Sequence, residues 1–311
     1  MTNLLSMLGF PGRYEPFYFK DMIIDPYDLI IIPGYGGMLL ITNQETSTID
    51  TAFFCPDKDY INALKGDFRF LHKGTKPLFT TYSVEDRVGG SYVKDLTSFE
   101  MKEGALFLVR KRGLSTLTVP EGVYKSMLQR AIENDSTGRI LERSSIIYEN
   151  FKRRRGAFFN QVRRWRFRNI CSKNAVRKMV EEGIFAEDTW MFVYNDIRED
   201  LQERREHLQS TIQLLERFPN CKIALVDEEE DLLTDNLWEV KGDHAVLMQT
   251  WYRDLSTGGE LELDLKLTEP TVVTAFHEYF LSLWGQISPC NRDKRLVIDW
   301  LKSQLARIPH H

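Results

Sequence analysis

Hydrophobic positions alternate with polar ones in some segments and recur at helical spacing in others, so helices and strands are predicted along the whole chain. The four leucines of 261–267 alternate with charged residues, which predicts a half-buried antiparallel strand with one wet face. In 196–218 the apolar positions recur every three or four residues. That spacing predicts a long helix, which Pro219 ends.

Shorter patterns fill the rest of the chain. Apolar runs at 29–32 and 38–42 flank a glycine-rich turn, which predicts a hairpin. The segments 105–111 and 114–119 are predicted strands. In the centre, Ile147, Phe151, Phe158, Val162 and Trp165 form one helical stripe. Ser172 is a predicted N-cap for a helix over 173–182, which Gly183 closes.

These elements predict an α+β fold of two mixed α+β lobes joined by a helical basic segment. The predicted N-terminal lobe covers residues 1–135, and the polar break Asn134–Gly138 marks its end. The helical, basic connecting region covers 136–219. The C-terminal α+β lobe covers 220–311.

Composition narrows the class of protein. The chain has 311 residues, of which 42% are hydrophobic and 28% are charged, so a mostly disordered protein is excluded. No apolar run is long enough for a transmembrane segment, and the first residues do not resemble a signal peptide. The four cysteines are far apart and form no CxxC pair, which argues against a zinc knuckle or a disulfide framework. A reduced, cytoplasmic protein is expected.

Charge is distributed unevenly although the net charge is only -4. Residues 150–178 contain eleven Lys or Arg and no acid, whereas 223–269 contain thirteen acids and three bases. Arginine forks contact phosphates well and aromatic faces stack on bases, so the basic segment is a candidate nucleic-acid site. Its predicted contacts are Arg153, Arg154, Arg155, Arg163, Arg164, Trp165, Arg166, Arg168, Lys173, Arg177 and Lys178.

Two other uses of this segment stay open. Its arginines could pair with the acidic block of the same chain or with a protein partner, leaving Trp165 and Phe167 in the core. They could also meet an anionic membrane surface, with the aromatic residues as anchors.

No catalytic motif is complete. His277-Glu278 lacks the second His that a zincin needs at position 281, where Leu stands. His244 lacks a Lys two residues later, which phospholipase-D-type hydrolases require. Glu228–Asp231 is expected to be a solvated loop, and Cys171 a buried residue. No cofactor and no metal site are therefore predicted.

A family resemblance is carried by several motifs. Ile170–Val176 before Gly183, Leu237–Gly242, the helix around Phe276 and Trp284, and Asn291–Lys294 together resemble the regulatory part behind the helix-turn-helix of Firmicutes Xre-type transcriptional regulators. The resemblance spans roughly residues 1 to 308 and implies a non-enzymatic domain that responds to a small molecule or a peptide. It assigns no functional residue.

The DNA-reading helix pair of such regulators has no room within Met1–Phe10. The chain could be a stand-alone partner, part of a longer regulator, or a protein that uses its basic segment instead. For the last case, 163–182 is predicted to hold two helices with a turn near 169–172, so that Lys173, Asn174, Arg177 and Lys178 begin a recognition helix.

The sequence thus favours a bacterial transcriptional regulator, or its ligand-sensing part, that contacts nucleic acid or a protein partner. A homodimer is compatible with it. Whether the protein is an enzyme stays open, although a non-enzymatic role is favoured. One alternative is a phosphodiesterase or nuclease that gathers His72, His244 and His277 in one pocket. The other is a pure protein-interaction module whose arginines face the acidic block.

Overall fold

The computed structural model describes residues 16–18, 27–32, 35–42, 49–87, 90–104, 106–185, 197–227, 237–253 and 260–309. These residues form an α+β structure, which confirms the predicted fold class. The chain divides into two compact units. Residues 15–78 form the smaller unit, and residues 79–311 with 1–14 form the larger one.

The smaller unit contains a three-stranded antiparallel sheet in the order β2-β3-β4 and a second pair of strands, β1 and β5. β2 pairs with β3 from Ile32 opposite Gly36 to Tyr27 opposite Ile41, which confirms the predicted hairpin. Its elements are β1 (Phe17–Tyr18), β2 (Tyr27–Ile32), β3 (Gly36–Thr42), β4 (Ile49–Cys55), α1 (Lys58–Lys73) and β5 (Lys76–Pro77).

The larger unit is built on a seven-stranded sheet in the order β6-β12-β11-β10-β7-β8-β9. β7, β8 and β9 run parallel, and the other neighbours pair antiparallel. Its strands are β6 (Phe79–Tyr82), β7 (Leu106–Arg110), β8 (Arg166–Ser172), β9 (Cys221–Val226), β10 (Leu237–Lys241), β11 (Ala245–Arg253) and β12 (Glu260–Leu267). Its helices are α2 (Val84–Arg87), α3 (Ser91–Met101), α4 (Glu121–Asn134), α5 (Arg139–Gln161), α6 (Lys173–Glu182), α7 (Leu201–Arg217), α8 (Pro270–Gln286), α9 (Pro289–Arg292) and α10 (Lys294–Leu305).

Helices cover both faces of this sheet. On one face, which we call face A, Val109 and Phe167 pack in one core with residues of α5, α7 and α10. On the opposite face, face B, Trp238 and Val246 pack against the apolar side of α8. Strands buried on both faces are the reason for the continuous apolar runs of β7 and β9.

The predicted boundaries at residues 135 and 219 divide the chain into three regions, and each region contributes at least one strand to this sheet. β8 belongs to the stretch that was predicted to be a helical connection, yet it lies between β7 and β9. The compact units therefore differ from the predicted regions, because contacts distant in sequence join all three in one sheet.

The helix over Lys173–Glu182 is confirmed together with its two ends. The Ser172 hydroxyl accepts hydrogen bonds from the N–H groups of Asn174 and Ala175, and Gly183 ends the helix at φ 75°. α7 begins with a capping box, in which Asp200 and Glu203 each accept the other's backbone N–H. None of the helices in the described part of the chain combines the length and apolar character that a membrane crossing requires.

Three predictions are wrong. Residues 114–119 form a short 3-10 helix, Thr116–Thr118, instead of a strand. The two-helix DNA reader over 163–182 does not form, because Arg166–Ser172 is a strand inside the sheet. The charged face of β12 is not wet at Asp264, whose side chain is buried against Arg87 of α2. The acidic loop Glu228–Asp231 lies outside the described residues.

Candidate nucleic-acid interface

The basic segment changes from helix to strand at its centre. α5 ends at Gln161, and a turn of four residues leads to β8, which begins at Arg166. Side chains alternate between the two faces of a strand. Arg166 and Arg168 therefore share face B, while Phe167 is buried in the core on face A, with 1% of its surface exposed.

Cations from other elements lie beside these two arginines. Lys222 of β9 pairs in register with Arg168, and β9 is the last strand at this side of the sheet. Arg292 ends α9 and Lys294 begins α10. We call the surface formed by six residues the basic edge: Arg164, Arg166, Arg168, Lys222, Arg292 and Lys294.

Burial and neighbouring positive charges lower the pKa values of two residues of the basic edge, Arg168 and Lys294. Burial lowers the pKa of Arg168, and the neighbouring charges of Arg166 and Arg292 lower it further. Burial also lowers the pKa of Lys294, and the charge of Lys222 adds to this effect. Cations held this close repel one another, and an external anion would relieve that repulsion.

Neutral groups hold the basic edge in place. Arg292 Nη1 donates to the carbonyl of Trp284 at 2.8 Å, and Lys294 Nζ donates to the carbonyl of Phe218 at 2.6 Å. The Arg168 guanidinium lies 5.1 Å from the centre of the Trp284 ring. These contacts position the side chains. None of the six residues forms an ion pair with a carboxylate among the described residues, although Asp293 lines the same pocket as Lys222, Arg292 and Lys294.

A groove of about 780 Å³ adjoins the basic edge. Arg164, Trp165 and Arg166 line one part of it, and Asp243 and His277 line another. Trp165 is half-buried, and its Nε1 has no hydrogen-bond partner among the described residues. Because this Nε1 is itself buried, the indole presents part of its ring, but not its N–H, close to two exposed arginines.

Other predicted contact residues are engaged within the protein. Arg154 forms an ion pair with Glu100, with Nη2 at 2.9 Å from Oε1. Arg155 donates to the carbonyl of Val119 at 2.8 Å. Burial in these positions gives both arginines a structural role, which differs from the predicted contact with nucleic acid.

Five further predicted residues lie on α5 and α6 or in the turn after α5. Lys173 pairs with Asp227 at 2.9 Å, and Arg177 lies 6.0 Å from the centre of the Trp300 ring. Lys178 and Arg163 are exposed. Arg153, on the outer side of α5, is exposed as well.

The acidic block does not neutralise the basic segment within the described part of the chain. Glu239 pairs with Lys111 and Asp264 with Arg87, both on face A of the sheet. The one ion pair between the two blocks in the described residues joins Lys173 and Asp227. Among the described residues, the exposed arginines Arg153, Arg163, Arg164 and Arg166 therefore have no carboxylate in an ion pair.

The three histidines of the predicted phosphodiesterase site lie in different parts of the chain. His72 belongs to the smaller unit. His244 hydrogen-bonds weakly to the carbonyl of Glu103 at 3.4 Å, and His277 lines the groove. In the described part of the chain, no group of three His, Cys, Asp or Glu residues is placed to hold a metal ion.

Sequence reasoning missed Lys222, Arg292 and Lys294. Each is a single cation in an ordinary local context. The parallel pairing of β8 with β9 brings Lys222 to the arginines, and the packing of α9 and α10 against β9 brings Arg292 and Lys294. The alternation Arg166-Phe167-Arg168 was the available signal, since a period of two predicts a strand with both arginines on one face.

Comparisons with known proteins give no family. No family model and no curated protein matches the chain. A solved structure with distant similarity is the archaeal chromatin protein TrmBL2, described as showing a novel mode of DNA binding. The TM-score is 0.35 at 10% identity over 74% of this chain, and the match spans 64% of the length of TrmBL2.

A second solved structure is Nuc from Salmonella typhimurium, a phospholipase D family member. Here the TM-score is 0.32 at 10% identity, over 68% of this chain and 97% of Nuc. Similarity at this level does not distinguish a DNA-binding protein from a hydrolase.

Proposed function

We propose that this protein is a regulatory protein that binds nucleic acid through the basic edge. The observation that supports the proposal is the gathering of cations from β8, β9, α9 and α10 on one surface, without carboxylate partners among the described residues. The resemblance to the regulatory part of Xre-type regulators is consistent with this role. In the proposal, a small ligand bound elsewhere in the larger unit changes the population of binding-competent molecules.

The spacing of the basic edge suits a phosphate backbone. Arg166 and Arg168 are two residues apart on a strand, which is about 6.6 Å. Lys222 lies on the adjacent strand, about 4.8 Å away. Contacts of this kind neutralise phosphates without reading bases, so the proposed binding has little sequence preference and depends strongly on salt.

Two double variants with equal charge change test the proposal. The first is Arg166→Ala with Lys222→Ala, both exposed residues of the basic edge. The control is Lys125→Ala with Arg139→Ala, also exposed, of which Arg139 lies at the start of α5, about 33 Å along the helix from Gln161. Binding of a labelled 30-base-pair DNA is followed by fluorescence anisotropy across a salt series.

We expect the wild type and the control to bind alike, and the basic-edge variant to bind at least about tenfold more weakly at low salt. Losing two phosphate contacts should reduce the slope of log affinity against log salt by about 2. Equal affinities and slopes for the two double variants would remove the basic edge as the binding surface. Absence of binding by the wild type at low salt would contradict the proposal itself.

A further inference from the structure

A small cavity lies on face A, away from the basic edge, between the sheet and helices α3 and α5. Its volume is about 70 Å³. Its wall combines apolar side chains, among them Ile147 and Leu247, with polar side chains that the sheet and α5 supply. Those that matter here are Lys111, Asn150, Arg154, Glu239 and Gln249.

Ion pairs surround the cavity, and the positive and negative charges of each pair compensate each other. Lys111 Nζ lies 2.5 Å from Glu239 Oε1, with side chains that are 8% and 6% exposed. Arg154 is paired with Glu100. A neutral set of buried charges disfavours a ligand that carries a net charge, because such a ligand would add an uncompensated ion.

Two charged groups on the wall keep unused hydrogen-bonding capacity. Glu239 Oε2 accepts no hydrogen bond from the described residues. Arg154 uses Nε and Nη2 for Glu100, and its Nη1 makes no hydrogen bond within the described part of the chain. Leaving a buried carboxylate oxygen unsatisfied costs free energy, so a donor on a ligand would be stabilised there.

These two groups also act on each other through space. The positive charge of Arg154 opposes the rise in the pKa of Glu239, a rise that burial causes first of all. The charge of Glu239 in turn contributes to the raised pKa of Arg154. No ion pair joins the two residues among those described, although both line the cavity.

We infer that this cavity binds a small zwitterion, an α-amino acid of the size of glycine, alanine or serine. The ligand carboxylate would accept from Arg154 Nη1, and its ammonium group would donate to Glu239 Oε2. A volume of about 70 Å³, a little more than the share of about two waters, restricts the ligand to the smallest members of this class. The inference names the ligand class for the proposed sensing role and rests on that proposal only for its regulatory meaning.

Calorimetric titration of the full-length chain, without nucleic acid, tests the inference. Glycine, L-alanine and L-serine are titrated separately, and so are acetate, methylammonium and L-phenylalanine. We expect at least one of the first three to bind with a dissociation constant below about 1 mM. Acetate and methylammonium, which each carry one charge, should bind at least tenfold more weakly, and L-phenylalanine should be excluded by size.

Variants locate the binding. Glu239→Gln should lower the affinity for the amino acid at least tenfold. Asn150→Phe adds a ring to the cavity wall and should abolish binding. Glu216→Gln is the control, since this exposed carboxylate of α7 pairs with Lys302. Circular dichroism shows whether each variant is folded, and Asn150→Phe carries the test if Glu239→Gln is not.

Three results would overturn the inference. The first is that none of the three amino acids binds at a concentration tenfold above the expected dissociation constant. The others are that acetate binds as tightly as the amino acid, or that the Asn150→Phe variant binds it as tightly as the wild type. Because the titration contains no nucleic acid, its failure leaves the basic edge untouched. Loss of DNA binding would likewise leave this result standing.

Discussion

Buried charges are the most informative single residues of this protein. Lys111, directly after β7, pairs with Glu239 of β10, and Arg87 of α2 pairs with Asp264 of β12. Both pairs lie on face A, and each of the four side chains is less than a tenth exposed. Such pairs contribute little net stability compared with apolar residues, but removing one partner leaves a buried charge without compensation. Their presence in the sheet therefore points to a role other than stability.

Replacement of Lys111 tests this cost. We expect Lys111→Met to lower the free energy of unfolding by about 3–5 kcal/mol, because Glu239 then stays buried without its partner. The double variant Lys111→Met with Glu239→Leu should recover a large part of that loss. Urea denaturation measures both, and a double variant less stable than the single one would show that the pair itself stabilises the fold.

Lys241 makes stability depend on pH. Burial lowers its pKa from 10.5 to about 8, against the opposing effect of Glu100 and Glu239. Above about pH 8 the folded chain has lost this proton while the unfolded chain retains it, so the unfolded state binds more protons and stability rises with pH up to about 10.5.

The measurement compares wild type with Lys241→Met. Between pH 7 and 9 the wild type should gain about 1 kcal/mol relative to the variant. Burial raises the pKa values of Cys171 and Cys221 to about 12, and these lower stability above about pH 9 in both proteins, so the difference isolates Lys241. A constant difference across this range would show that Lys241 does not titrate there.

At the scale of the element, the C-terminal end of helix α6 requires a glycine. Gly183 ends it at φ 75°, and a Cβ there would lie 2.2 Å from the carbonyl oxygen of Glu199. Gly138, before α5, has a similar φ of 71° with no atom within 4 Å of such a Cβ. The two glycines therefore share a backbone conformation and differ in the space around them.

Alanine at each position separates these effects. Gly138→Ala should cost about 1 kcal/mol, for the left-handed backbone alone. Gly183→Ala should cost a further 1–3 kcal/mol or so, because the backbone at Glu199 must move. Thermal or urea unfolding gives both values, and equal costs would mean that the chain around Glu199 adapts freely.

The sequence predicted the elements well where the deciding interactions join residues that are close in sequence. The cap at Ser172, the glycine at 183 and the leucines of β12 each act within a few residues, and the sequence places them correctly. β8 was misassigned because its charge block and the Ser172 cap were interpreted together as a pair of helices over 163–182. Its alternation of arginine and phenylalanine acquires meaning only when β7 and β9 lie beside it.

The candidate site was predictable only in part for the same reason. Arg166 and Arg168 stood out as members of a charge run. In the structure Arg166 is exposed and Arg168 is half-buried. Their partners Lys222 and Arg292 come from distant elements and have no local signal. The cavity was missed entirely, because strand register sets Glu239 beside Lys111 and not their spacing in sequence.

At the scale of the whole molecule, stability is concentrated in the larger unit. All buried members of the three apolar clusters come from residues 99–308. The smaller unit contributes none of them, and its Ile30, Ile32 and Phe54, which are 46%, 53% and 61% exposed, lie on one face of its sheet. A unit of this size buries a small fraction of its surface and is marginal alone.

Residues 79–311 should therefore fold without the smaller unit, although residues 1–14, which belong to the larger unit, are removed with it. We expect a melting temperature within about 4 °C of that of the full chain, which corresponds to a change of about 1 kcal/mol, because every strand of the seven-stranded sheet is retained. Differential scanning calorimetry and circular dichroism measure this directly.

The shortened chain should also retain the DNA affinity of the basic edge, since Arg166, Lys222 and Arg292 all remain. A chain that is unfolded at 25 °C would show that residues 1–78 supply contacts on which the larger unit depends, and a folded chain without DNA binding would assign part of the interface to them.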